Sequence, residues 1–241
     1  SVYYRRYCES ILAVDDSVGR LNDYLIDNQL SDQTLFVYMG DNGFQFGDHG
    51  LIDKRVAYEA SAKVPWLMKA PGQIPAGVEY SSLVGNIDIA PTLLEAAGAD
   101  IPSNVDGLSV WKSLCGQSDA ATRRDHLLYE YYWERNYPHT PTLHAVIGGR
   151  WKYIRCHGLW DRDEFYDLEN DPGEMKNLIE APEHKEKIAE MNQLLWKLLD
   201  ESEGDEVPLL EDRGPTFPWR HPDHAEQAEF PGEYFRESEK G

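Results

Sequence analysis

The chain has 241 residues, 41% apolar and 12% aromatic, which suits one large or two modest packed domains and not a disordered chain. Its formal charge of −20 repels nucleic-acid phosphates, so a nucleic-acid partner is not expected. No apolar run approaches the roughly 18 residues that span a bilayer, so no membrane partner is expected either.

The chain opens at Ser1 and enters a helical pattern within a few residues, which reads as a beginning cut from something longer. Tyr4, Tyr7, Ile11, Val14, Val18, Leu21 and Leu25 recur in steps of three and four, which predicts a helix from Tyr4 to about Asn28. TLFVYM (Thr34 to Met39) is a continuous apolar run of strand formers, expected as a strand buried on both faces of a parallel sheet. VPWLMKAPG (Val64 to Gly72) reads as a second buried strand stopped by Pro71-Gly72, and Ser82 to Val84 begins another short segment. A helix starts at Asp88, continues to Ala97 and ends at the C-cap Gly98. Helix, strand, loop, strand and helix in succession argue for an open α/β sheet.

Near residue 120 the pattern changes. HLLYEYYW (His126 to Trp133), LHAVIGGRWKYIRC (Leu143 to Cys156) and DEFYDL (Asp163 to Leu168) are short, aromatic and turn-rich, with Gly148-Gly149 as a hairpin signal. They predict a small antiparallel sheet. Asp171-Pro172-Gly173-Glu174 has the form of a helix cap, with Pro at the first helical position and Glu three residues after Asp. An amphipathic helix follows from Glu183 to about Asp200, with Ile188, Met191, Leu195 and Leu198 on one side. The expected division is 1–120 for the α/β part, 121–200 for a small α+β subdomain and 201–241 for an acidic irregular tail. Residues 200–241 hold 13 acidic and 4 basic side chains, which reads as a solvated segment. Cys8, Cys115 and Cys156 form no metal pattern and leave one disulfide or three thiols open.

The stretch MGDNGFQFGDHGLIDK (Met39 to Lys54) carries the chemistry. Ligands of open α/β sheets gather beyond the C-terminal ends of strands, and Asp41-Asn42 follows such an end. A carboxylate and an amide oxygen are hard ligands that suit Ca²⁺ or Mg²⁺. Lys54 can return over the same place as the positive partner of a sulfate or phosphate. Asp-Asn-Gly is also a common turn. An EF-hand is excluded here, because the alternate positions after Asp41 are Gly43 and Gln45.

The motifs Asp41-Asn42, Gly47-Asp48-His49-Gly50, Lys54, Tyr58-Glu59 and Val64-Pro65 are followed by NIDIAPTLLEAAG (Asn86 to Gly98), DGLSVWKSLCG (Asp106 to Gly116), GGRWKYI (Gly148 to Ile154) and EFYDLENDPGEMKNL (Glu164 to Leu178). Their order resembles the formylglycine-dependent (type I) sulfatases of the alkaline phosphatase superfamily. The likeness covers roughly residues 3–200 and fits the C-terminal half of such an enzyme. It implies an alkaline phosphatase-like sheet sandwiched by helices, plus a small C-terminal antiparallel sheet with a packed helix. It also implies one Ca²⁺ with Asp41 and Asn42 among its ligands, the other ligands coming from an N-terminal half as partner. Lys54 is implied to contact the sulfate and steady the leaving oxygen, while a hydrated formylglycine attacks sulfur. His49 is expected at the substrate or as a shaper of the loop, and His144 at the sugar or sulfate. The aromatic segment from Tyr131 to His144 is most similar to glycan sulfatases, including glucosamine-6-sulfatases, so a sulfated carbohydrate is the expected substrate. A periplasmic, secreted or lysosomal location is suggested by the resemblance alone.

One departure stands out. None of the three cysteines begins the family's Cys/Ser-x-Pro-x-Arg nucleophile motif. Two alternatives stay open: a phosphoric or phosphonic ester hydrolase of the same superfamily, and a non-catalytic truncated paralogue that binds an anionic glycan.

Overall fold

The computed structural model describes residues 2–117, 123–134, 137, 139–157 and 162–204. Helix α1 (Val2–Asp27) follows the predicted periodicity, yet Tyr4, Tyr7, Ile11, Val14 and Leu21 of its apolar stripe remain exposed. Asn28 ends it, with its side-chain amide donating to the Tyr24 carbonyl at 2.8 Å. Strands β1 (Phe36–Met39) and β4 (Trp66–Lys69) form where strands are expected, but they pair antiparallel, from Phe36↔Lys69 to Met39↔Trp66. The expectation of parallel, doubly buried strands is corrected: β1 is half-buried throughout, and Leu67 of β4 is 63% exposed. A continuous apolar run fixes a strand but not its direction of pairing. Lys69 Nζ donates to Asn22 Oδ1 at 2.9 Å and ties the ladder to α1.

Between β1 and β4 lie a two-residue hairpin, β2 (Gln45–Phe46) with β3 (Ile52–Asp53), and the short helix α2 (Glu59–Ala62). After β4, a 3₁₀ turn (Asn86–Asp88) leads into α3 (Ile89–Ala96), and Gly98 caps the helix with φ of 69°. Buried Asp88 fixes this entry. Its carboxylate accepts from Gly85 N (2.8 Å), Leu108 N (2.7 Å) and Arg124 Nη2 (2.7 Å). The segment expected at Ser82 to Val84 makes only an isolated bridge, Leu83 to Arg124. Helix α4 (Trp111–Leu114) closes this part.

The small sheet is a meander in chain order: β5 (His126–Tyr131), β6 (Leu143–Gly148), β7 (Trp151–Cys156) and β8 (Glu164–Asp167). Its hairpin turns at Gly149-Arg150, one residue beyond the predicted pair. Alternation sorts the side chains onto two faces. Leu143, Ala145, Ile154 and Tyr166 cluster with Ala57 and partly buried Tyr58. The other face carries Tyr153, whose hydroxyl lies 3.3 Å from Asn192 Oδ1 of α5 (Lys185–Glu201), and Phe165, which packs on Trp151 and His184.

The Asp171–Glu174 signature does not start a helix. It is a turn in which Glu174 takes φ of 54°, and its carboxylate is drawn into the core. In α5, Met191, Leu195 and Leu199 are buried, so Leu199 takes the place expected for Leu198. Residues Ser1–Leu198 form one compact unit and Leu199–Gly241 a second, in which Gly204 N donates to Leu199 O at 2.9 Å. The expected junction near residue 120 and the acidic tail beyond Gly204 lie outside the described residues. Among the described residues no helix is long and apolar enough to cross a membrane. Cys8, Cys115 and Cys156 are not joined in a disulfide among the described residues.

Candidate active site

Every loop residue singled out in the sequence falls in the excursion between β1 and β4. The chain leaves β1 at Gly40, whose N–H donates to Pro65 O at 3.2 Å, so the excursion begins and ends at one point. Asp41 Oδ1 accepts Asn42 N at 2.9 Å, and Asn42 Nδ2 donates to Gly43 O at 2.9 Å, which orients the amide oxygen of Asn42. The β2–β3 hairpin then reverses the chain and returns Lys54 over the turn. Lys54 Nζ donates to Asn42 Oδ1 at 2.7 Å. The structure thus brings Asn42 and Lys54 together, with Asp41 adjacent and exposed.

The reversal uses unusual backbone. Gly47, His49, Gly50 and Asp53 all have positive φ, of 115°, 53°, 73° and 98°. For His49 and Asp53 such conformations cost about 1–3 kcal/mol each, and they persist where surrounding contacts over-determine them. Here the contacts are explicit. Asp48 Oδ2 accepts Phe46 N at 3.0 Å. The His49 ring stacks on Tyr58, centroids 3.9 Å apart and planes within 14°. The Tyr58 hydroxyl donates to Glu164 at 3.0 Å, and burial together with that carboxylate pushes its pKa well up. His49 therefore braces the loop against the small sheet.

The two cations of the loop differ in what they face. Arg55 is neutralised by Asp53 and Glu134 and lies under the Tyr137 ring, 3.1 Å from its centroid. Lys54 meets the neutral Asn42 amide. The hard oxygens of Asp41 and Asn42 fit a hard cation in kind, and Asn42 Oδ1 already accepts from a positive group. They are short in number: among the described residues no cluster of three or more His, Cys, Asp or Glu is placed to hold a metal.

His144 is not brought to Lys54. Strand alternation sets it on the α5 face of the sheet, opposite Ala57 and Tyr58, and it is 3% exposed. Its Nδ1 lies 2.8 Å from His157 Nε2, and Tyr132 meets its ring edge-on at 5.4 Å. His144, the residue assigned to the sugar or sulfate by resemblance, lies in a buried histidine pair set by the strand register. Burial, with His157 adding to it, pulls the His144 pKa down to about 4. An unfolded histidine titrates near 6.5, so between those values the unfolded chain binds more protons. Stability contributed by His144 is complete above about pH 6.5 and is lost as pH falls towards 4. Urea midpoints measured across that interval are expected to decline with falling pH, and less so in His144→Phe.

The sequence names Glu59 in the Tyr58-Glu59 motif and Glu174 as a cap residue, but not the contact of either with Lys152. Lys152 is fully buried and donates to Ala57 O (2.9 Å), Glu59 Oε1 (2.7 Å) and Glu174 Oε1 (2.7 Å). One signal was present: Lys152 alternates with Ile154 on a core-facing register.

The α/β frame joined to a small antiparallel sheet is an alkaline phosphatase-like architecture. Two solved structures show the same frame. One is a protein in complex with its substrate D-glucosamine-2-N,6-O-disulfate, at a TM-score of 0.75 and 34% identity over 81% of this chain and 40% of that one. The other is the phosphonate monoester hydrolase of Agrobacterium radiobacter, at a TM-score of 0.70 and 25% identity over 79% of this chain and 40% of that one. The chain belongs to the sulfatase family described as N-sulphoglucosamine sulphohydrolase, C-terminal, which matches residues 47–201. It is 36% identical to an N-acetylglucosamine-6-O-sulfatase of Bacteroides thetaiotaomicron over 80% of its own length and 35% of that protein's. The chain thus spans about a third to two-fifths of the relatives it matches.

Proposed function

We propose that the chain supplies the sulfate-binding lysine and part of the metal site of a sulfuric ester hydrolase acting on a sulfated glycan. The observation that carries this is the 2.7 Å contact of Lys54 Nζ with Asn42 Oδ1, beside Asp41, at the end of β1. Asp41 and Asn42 are read as two oxygen ligands of a calcium ion, which when bound polarises the sulfate oxygens. Calcium takes about 6–8 oxygens, so the remaining ligands are assigned to an N-terminal half. Lys54 holds the sulfate and opposes the charge that develops on the leaving oxygen. His49 keeps the loop in place through Tyr58. The glycan substrate is supported by the likeness to N-acetylglucosamine-6-O-sulfatase and to the structure with a sulfated glucosamine.

A phosphonic ester hydrolase is the second reading, supported by the 25% identical neighbour. The test compares release of sulfate from N-acetylglucosamine-6-sulfate with hydrolysis of a phosphonate monoester. Both are measured on the 241-residue chain and on that chain joined to an N-terminal sulfatase half, with and without a chelator. Sulfate release only by the joined protein, abolished by chelator, is expected. Turnover by the chain alone overturns the partial-site reading, and preference for the phosphonate favours the alternative.

A further inference from the structure

We propose that the buried Lys152–Glu174 pair positions the Asn42–Lys54 site by gripping helix α2. The inference rests on the reading of Lys54 as the sulfate-binding group.

An ammonium has three N–H donors, and Lys152 uses all three, on Ala57 O, Glu59 Oε1 and Glu174 Oε1. The second oxygen of Glu174 accepts Glu59 N at 2.7 Å. Strand β7 and the turn after β8 therefore hold both residues that bracket Tyr58, at the start of α2. The other end of α2 holds the candidate site. Gly43 N donates to Ser61 O at 2.7 Å, and Gln45 Nε2 to Ser61 Oγ at 3.1 Å. No slack separates these pieces, because a Cβ on Gly43 would stand 2.1 Å from Ala60 O. Asn42 precedes Gly43, and Lys54 lies three residues before Ala57. A shift of α2 therefore displaces both halves of the site.

The chemistry of the pair points the same way. Replacing a buried ion pair by uncharged groups of similar shape is often neutral for stability, whereas removing one partner leaves the other charge buried and unpaired. What such a pair gives over an apolar pair is direction: three bonds fix the ammonium and hence the two chain segments it joins. Glu174 also adopts a left-handed conformation to deliver its carboxylate, a local cost that a merely apolar contact would not need.

The test uses the complete protein that carries this chain and the double variant Lys152→Met/Glu174→Gln. Glutamine keeps an acceptor for Glu59 N, and of the three charged groups only Glu59 keeps its charge, on a side chain that is 28% exposed. Expected is a fall in kcat for sulfate release of about 10²-fold, with amide exchange accelerated at Gly43 and Ser61 and unchanged in β6 and β7. The single variant Glu174→Gln, which leaves the fully buried Lys152 charge with Glu59 as the carboxylate it meets, is expected to add a general loss of stability. Unchanged exchange at Gly43, or acceleration spread equally through β6 and β7, overturns the proposal. If the wild-type protein releases no sulfate, the sulfatase reading fails, while exchange at Gly43 still decides the positioning role.

Discussion

Replacing Lys54 by alanine is expected to lower kcat for sulfate release by the complete enzyme about 10²–10³-fold, the loss typical of one aimed donor at a developing charge. The reason lies in what each cation of the loop already faces. Arg55 is bound to two carboxylates and an aromatic ring, whereas Lys54 makes its 2.7 Å contact with a neutral amide. Lys54→Arg is expected to restore little, since a planar fork does not occupy the place of a compact ammonium. Thermal melting should be nearly unchanged in both variants, because Lys54 is only part-buried and, among the described residues, its side chain bonds to Asn42. Activity within a few-fold of wild type would remove Lys54 from the reaction.

Gly43→Ala is expected to cost both stability and activity. The added Cβ would lie 2.1 Å from Ala60 O and 2.9 Å from Ala60 C, and backbone atoms cannot rotate aside. Overpacking of this kind costs about 1–3 kcal/mol. Relief requires the Asn42 turn to move off α2, and a displacement near 1 Å costs about 10²-fold in rate. Gly19→Ala is the control: its Cβ meets nothing within 4 Å and it lies inside α1, so the change should stabilise slightly. Equal melting temperatures for Gly43→Ala and wild type would show that the turn yields freely.

Local pattern made much of the fold readable. The steps of three and four in α1 and α5, the Gly98 cap and the alternating strands from His126 to Asp167 all express themselves within a few residues. The Asn42–Lys54 contact was readable too, because a strand end, glycines and a short return loop place both residues. The rest depends on distant groups. The direction of β1 is set by its partner β4, which the apolar run of Phe36 to Met39 does not specify. Asp171 to Glu174 has the residues of a helix cap, but Lys152 binds the Glu174 carboxylate and the segment turns instead. The face taken by His144 follows from register, which is fixed by pairing with Glu130 and Arg155 and not by its neighbours in sequence.

The meander of β5 to β8 pairs each strand with the next one in the chain, so its hairpins close over short spans. The grip on α2 is different: Lys152 meets Glu59 across 93 residues, and Glu59 meets Glu174 across 115. Each doubling of a closed loop costs about 0.6 kcal/mol more in chain entropy. The hairpins therefore need only local chain to re-form after a partial opening, while the grip must recapture a remote segment. Loosening this chain is expected to release the Asn42–Lys54 turn before the sheet comes apart.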